Sequence, residues 1–183
     1  MSRKVLFTLD WEPWFALYAY SSRWEKMNDL VEEPTHYLLD LLRRHQIKAI
    51  WYLLGWLQDK LPSLVKDIQS EGHTIGYHSY YHKVNDSPRW EGVPYRAPRF
   101  KGQRRLYSGG FWLRSMPYWW LKREVMKEGQ FFIHPHDVML EHPKLSNPWQ
   151  NWYRHVGLKT SRDKLERLTR EIEWAEASQL VKS

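Results

Sequence analysis

The chain has no cysteine among its 183 residues. That excludes a disulfide framework, a thiol nucleophile and any sulfur-ligated metal, so a metal site here must be built from histidine and carboxylate. It has no apolar run long enough to span a bilayer, and the start, "MSRKVLFTLDW", has too short an apolar stretch for a secretory h-region and an Asp by position 10. Those two absences lead us to expect a cytoplasmic chain without a membrane span. There is no low-complexity segment, internal repeat or linker, and a chain of this size ordinarily buries one core, so residues 1–183 are expected to form a single domain.

What is present is charge and aromatic surface. The formal net charge is +7, but the cations are spread along the chain, and clusters such as "KGQRR" (101–105) read as solvated loop and helix faces. No nucleic-acid partner is expected. Twelve Trp and eleven Tyr are unusual for a chain of this length. Most should be core, and the rest would suit flat platforms for sugar rings or bases.

Strand and helix patterns alternate. "KVLFTL" (4–9), "IKAIWYLLG" (47–55), "HTIGY" (73–77) and "QFFI" (130–133) read as strands. Helical stripes begin at Thr35 as N-cap, run through Leu61, Leu64, Val65 and Ile68 to a stop at Gly72, and extend from Ser115 as N-cap to Gly129. A last helix is opened by Thr160-x-x-Asp163 and striped by Leu165, Leu168 and Ile172. Repeated strand-then-helix units imply an α/β fold with a parallel sheet, open or closed.

Three strands end in ionisable residues: Asp10 and Glu12 after the first, His78 and His82 after the third, His134, His136 and Asp137 after "FFI". In parallel α/β folds the C-terminal strand ends share one rim, where ligands and catalytic groups collect. His78 and His82, four apart, would lie on one side of a helical turn, and a carboxylate would complete a two-His, one-carboxylate set with open positions. The spacing alone does not decide for metal; the Asp-x-Glu pair at a strand end strengthens it. If Glu12 holds the ion, Asp10 can act as general base and His134 as acid. His136, His142 and His155 read as surface or hydrogen-bonding histidines.

In order, "FTLDWE", "KAIWYLLGW…LPSLVKDIQSEGHTIGYHSYYH", "YRAPRF", "SGGFWLRSMPYW" and "FFIHPHDV" resemble the polysaccharide deacetylases of the NodB-homology type, carbohydrate esterase family 4. The nearest pattern is the exopolysaccharide-associated branch with Asp-x-Glu as first motif. "WYRHVGLKTSRDKLERL" resembles that branch's C-terminal end.

The resemblance implies a deformed (β/α) barrel and a hydrolase that removes acetyl groups from N-acetylated sugars with a divalent metal, often zinc. By position it makes Glu12, His78 and His82 the metal ligands, Asp10 the base and His134 the acid toward the leaving amine. It also makes Arg96 the partner that holds Asp10 ionised, and the backbone N–H of Arg99 the oxyanion donor. The chain is short for the family, which implies an incomplete barrel or a site completed by another subunit in a homo-oligomer. "SGGF" has no preceding Asp, so Asp137 or a substitute elsewhere must orient His134. The competing readings are an amidase on a small non-sugar amide and an inactive sugar-binding protein of the same fold.

Overall fold

A computed structural model describes residues 4–16, 30–82, 93–94 and 107–177. Its centre is a five-stranded, all-parallel sheet in the order β4-β3-β2-β1-β5. The strands are β1 (Leu6–Trp11), β2 (Ile50–Leu53), β3 (Thr74–Tyr77), β4 (Val93–Pro94) and β5 (Gln130–Ile133). The helices are α1 (Glu32–Arg44), α2 (Gly55–Lys60), α3 (Pro62–Ser70), α4 (Gly110–Ser115), α5 (Tyr118–Glu128), α6 (Pro148–His155) and α7 (Leu158–Glu171), with a 3-10 turn at Pro135–Val138. This is the expected parallel α/β fold. Among the described residues β4 and β5 are the sheet's two edges and do not pair, so the sheet is an open arc there.

The register divides the sheet into two unlike faces. Thr8 is level with Ile50 and Phe132, Asp10 with Tyr52, and Tyr52 with Gly76. Residues two apart on a strand share a face, so the even-numbered residues of β1, β2, β3 and β5 line one side together. The odd-numbered side, with Phe7, Leu9, Trp11, Trp51, Leu53, Phe131 and Ile133, joins the main core. There it meets Leu38, Leu41 and Leu42 of α1, Val65 and Ile68 of α3, Leu121 and Val125 of α5, and Leu165 and Leu168 of α7. The even side buries only a small separate cluster, Ile50, Tyr52 and Ala177 packed against Leu6. It carries Thr8, Asp10, Thr74 and Gly76, and is the side on which polar chemistry can collect.

Three expected caps are corrected. Thr35 is inside α1, which begins three residues earlier; its Oγ1 donates to the Val31 carbonyl at 2.6 Å and accepts from Trp11 Nε1 at 2.9 Å, tying the helix to the end of β1. Ser115 closes α4 and donates to the Phe111 carbonyl, while Pro117, without an N–H to satisfy, stands at the N-cap of α5. Thr160 lies within α7, which starts after Gly157 at φ +69°, so Thr160-x-x-Asp163 caps nothing. Gly129 ends α5 in the left-handed conformation as expected, at φ +71°. Three helices were not foreseen: α2, because Gly55 read as the end of a strand, α4, because a helix was expected to open only at Ser115, and α6, whose Asn147 accepts from the Trp149 and Gln150 amides ahead of Pro148. That Asn-Pro pair is a readable helix start.

Of the ten described tryptophans four are buried, Trp11, Trp14, Trp51 and Trp56, fewer than the mostly core set expected. Trp11 and Trp51 are fully buried, whereas Trp119, Trp149 and Trp152 are exposed. No helix among the described residues is long and apolar enough to cross a membrane.

Two buried histidines make the fold acid-sensitive. His73 accepts from the Ala49 amide at 3.3 Å through Nδ1, which requires a neutral ring. Burial, helped by nearby Lys48, pushes its pKa down to about 4. Burial likewise takes His142 to about 4, against the hydrogen bond to the His136 carbonyl and with Arg154 adding to the fall. A histidine depressed in the folded state contributes stability above its unfolded pKa near 6.5 and loses it as pH falls toward 4. Each such shift corresponds to about 3 kcal/mol. Denaturant midpoints measured from pH 7 to pH 4 should therefore fall steeply below pH 6.5, and His73→Gln should flatten that slope.

Candidate active site

The even-numbered face delivers the site. Asp10 is the last even residue within β1, and Glu12 follows the strand with its amide donating to the Asp10 carbonyl at 3.0 Å. His78 comes directly after β3, two residues beyond Gly76, and His134 directly after β5, two beyond Phe132. Because the strands are parallel and in register, all four side chains reach the same end of the same face. The expected convergence on one rim is what the structure has.

Glu12 is at the centre. It is 1% exposed, and among the described residues neither of its carboxylate oxygens has a hydrogen-bond donor. Oε2 lies 3.5 Å from His78 Nε2 and 3.4 Å from His82 Nε2, and Oε1 lies 3.7 Å from His134 Nε2. One ligand atom from each of Glu12, His78 and His82 fits within a sphere of separations under 4.8 Å. A buried carboxylate with no hydrogen bond is costly, and a carboxylate with two imidazoles is the donor set of a catalytic divalent site. These residues fit a divalent cation. Burial pushes the Glu12 pKa up, but contact with His78 and the charges of His134 and His82 outweigh it and hold it below the usual range.

The two histidines do not reach this point as sequence spacing implied. Residues 78–82 form a bend, not a helical turn: Ser79 and His82 take the left-handed conformation, at φ +66° and +58°. The cause lies in α2, whose first amides, Gly55 N and Trp56 N, donate to the carbonyls of Ser79 and Tyr80 at 3.0 and 3.4 Å. That fold-back brings the two imidazoles to 4.9 Å between ring centroids. His82 Nδ1 donates to the Ala16 carbonyl at 3.0 Å, leaving Nε2 toward Glu12. This is the outer contact that fixes a ligand histidine's tautomer.

His134 stands on the other side. Its Nε2 is 3.8 Å from Asp10 Oδ2, and its Nδ1 is 3.0 Å from Asp137 Oδ2, which also accepts from the His134 amide. Burial alone would lower the ring's pKa. The bond to Asp137 and the charges of Glu12, Asp137 and Asp10 reverse that and raise it to about 9. For Asp10, burial raises the pKa, with His78 and His134 partly offsetting it. Asp137 takes the place of the Asp missing before "SGGF", and Gly110 of that motif gives it room: a Cβ at Gly110 would overlap the Asp137 carboxylate. Gly110→Ala should thus displace Asp137 and, through it, His134, seen as a shifted His134 ring resonance.

Of the remaining histidines, His142 Nε2 donates to the His136 carbonyl at 2.7 Å, and His155 bridges the carbonyls of Asn151 and His142. These are hydrogen-bonding residues, as expected. His136 is buried, with its ring stacked on His134 at 4.7 Å and 9°. Arg96 and Arg99 lie outside the described residues. The residue that sequence reading missed is Arg114, whose Nε donates to Asp137 Oδ1 at 3.0 Å. Its signal was "SGGFWLR", an arginine one helical turn beyond the double glycine of that motif.

A family model for polysaccharide deacetylases matches residues 18–95, and the model of a domain of unknown function, DUF3473, matches residues 74–182. The chain belongs to the polysaccharide deacetylase family. Among curated proteins, it is 44% identical over 129 residues to the peptidoglycan-N-acetylglucosamine deacetylase PgdA of Listeria monocytogenes, covering 68% of this chain and 25% of that protein. It is 47% identical over 58 residues to a peptidoglycan-N-acetylglucosamine deacetylase of Bacillus cereus, covering 30% of this chain and 21% of that one. To the peptidoglycan-N-acetylmuramic acid deacetylase PdaA of Bacillus subtilis it is 24% identical over 135 residues, covering 58% and 50%. The chain therefore spans half or less of the length of these relatives. A crystal structure of the Bc1960 peptidoglycan N-acetylglucosamine deacetylase aligns at a TM-score of 0.48 and 16% identity, over 100% of this chain and 91% of that one.

Proposed function

We propose that this chain is a divalent-metal-dependent hydrolase that removes N-acetyl groups from an N-acetylhexosamine-containing glycan or oligosaccharide. The observation that carries the reading is the buried Glu12 carboxylate, bare of hydrogen bonds among the described residues and faced by His78 and His82, with Asp10 and His134 beside it. The relatives' names, deacetylases of N-acetylglucosamine and N-acetylmuramic acid in peptidoglycan, support an N-acetyl amide on a sugar as the bond cleaved.

Glu12, His78 and His82 would hold the cation, zinc by the chemistry of the donor set. When bound, it supplies Lewis acidity toward the acetyl carbonyl and lowers the pKa of water. Asp10 then takes a proton from the attacking water. The water oxygen bonds to the acetyl carbon, and the family resemblance would make the backbone N–H of Arg99 the donor to the resulting oxyanion. The same resemblance pairs Arg96 with Asp10. His134 gives its Nε2 proton to the amine nitrogen as the C–N bond breaks, because a free amide anion is too poor a leaving group. Acetate and a glucosamine-type amine result. With Nδ1 committed to Asp137, Nε2 is the His134 nitrogen that faces Asp10 and Glu12.

A base and an acid held 3.8 Å apart favour catalysis over sugar binding alone. The test is acetate release by the purified protein, supplied with a divalent cation, from N-acetylglucosamine oligosaccharides and from simple acylamides. Release from the oligosaccharides that stops on chelation supports the reading. Turnover of the acylamides alone would support the small-amide alternative, and no release from either would sink both.

A further inference from the structure

Arg114 is buried, with 1% of its side chain exposed, and all of its bonds are directed. Nε donates to Asp137 Oδ1, while one terminal nitrogen reaches three carbonyls, those of Tyr153, Arg154 and Val156, at 3.0, 2.9 and 3.2 Å. These carbonyls belong to the last turn of α6 and the residue after it, an end that favours a cation. The rings of Phe111 and Tyr153 stack at 4.6 Å and 4°, and each centroid lies 5.8 Å from the guanidinium carbon. Gly157, beyond that turn, has no room for a side chain, because a Cβ would overlap the Arg114 carbonyl. A lysine could not make these bonds at once; the planar fork of the guanidinium can.

The far oxygen of Asp137 serves His134 twice, through the ring Nδ1 and the backbone amide, each at 3.0 Å. Asp137 thus has no freedom left: one oxygen is held by Arg114, the other by the acid histidine. We propose that Arg114 is a positioning residue for His134, fixing Asp137 so that Nδ1 stays hydrogen-bonded and Nε2 alone faces Asp10 and Glu12. It also makes the α6–α7 turn part of the support of the active site. The proposal rests on the deacetylase reading for its consequence, but its geometry can be tested without turnover.

The leaving group separates a role through the acid from a role in the fold. An amide must be protonated at nitrogen to break, whereas an aryl acetate expels a stable phenolate without help. Arg114→Gln and Arg114→Lys, in whichever folds by circular dichroism, should lower kcat on an N-acetylglucosamine oligosaccharide by about 100-fold with KM unchanged. The loss on 4-nitrophenyl acetate should be far smaller. Asp137→Asn should behave alike, and the double variant should lose no more than Asp137→Asn alone. The readout independent of activity is proton NMR of the His134 imidazole. Wild type should show a low-field, exchange-protected Nδ1–H signal, and both Arg114 variants should lose it. Equal losses on the two substrates, or a signal unchanged in an Arg114 variant, would overturn the proposal. Wild type that releases no acetate while its NMR signal still depends on Arg114 would remove the deacetylase reading and leave the positioning role standing.

Discussion

Asp10→Asn should lower kcat for acetate release from an N-acetylated oligosaccharide by about 10²- to 10⁴-fold and leave divalent-cation binding in place. The substitution keeps the shape of a residue that is 8% exposed and stands on the even-numbered face of β1, level with Tyr52, so packing changes little. An amide cannot accept the proton that water must give up. The proposed ligands Glu12, His78 and His82 are untouched, so calorimetric titration with zinc should give the wild-type stoichiometry. A variant that retains near-wild-type kcat would move the base elsewhere. One that loses the cation would place Asp10 among the ligands.

Glu12→Gln should have the opposite signature, with the cation itself lost. Glu12 is the single carboxylate of the three-residue group, and its Oε2 is the atom that both imidazoles face. A neutral amide at that buried position offers a weak oxygen donor and no charge to offset a dication. A ligand that binds only the folded state at 100 times its dissociation constant stabilises by about 2.7 kcal/mol. Zinc at that excess should therefore raise the midpoint of wild-type unfolding, and the rise should vanish in Glu12→Gln. His78→Ala should also abolish it. A cation-dependent rise that survives in both variants would assign the ion to another group.

What the sequence made legible follows a physical line. The four longer strands were readable because each is a short apolar run, and their ionisable endings were readable because parallel strands finish at one rim. Asp10, Glu12, His78 and His134 could be grouped from that alone. The side chains' common face became visible only with the register, since nothing local in "IWYL" says that Tyr52 is level with Asp10 and Gly76.

The features that escaped depend on contacts distant in sequence. Thr35 looks like a cap, yet its hydroxyl is spent on Trp11 and Val31. His78 and His82 have helical spacing, yet the amides of Gly55 and Trp56 draw their segment into a bend. Arg114 has no motif of its own; its meaning comes from Asp137 on one side and the end of α6 on the other. Asp137 was legible as a candidate because only it follows His134 closely enough to reach Nδ1.

Glu12, His78 and His82 are proposed to hold a divalent cation at which Asp10 and His134 cleave an N-acetyl amide. The most direct measurement is acetate released from N-acetylglucosamine oligosaccharide as one equivalent of zinc is titrated into chelator-treated protein, in wild type and in Glu12→Gln. Release should rise with zinc to saturation near one ion per wild-type chain and stay at baseline in the variant. Release that ignores zinc, or that the variant matches, would contradict this proposal.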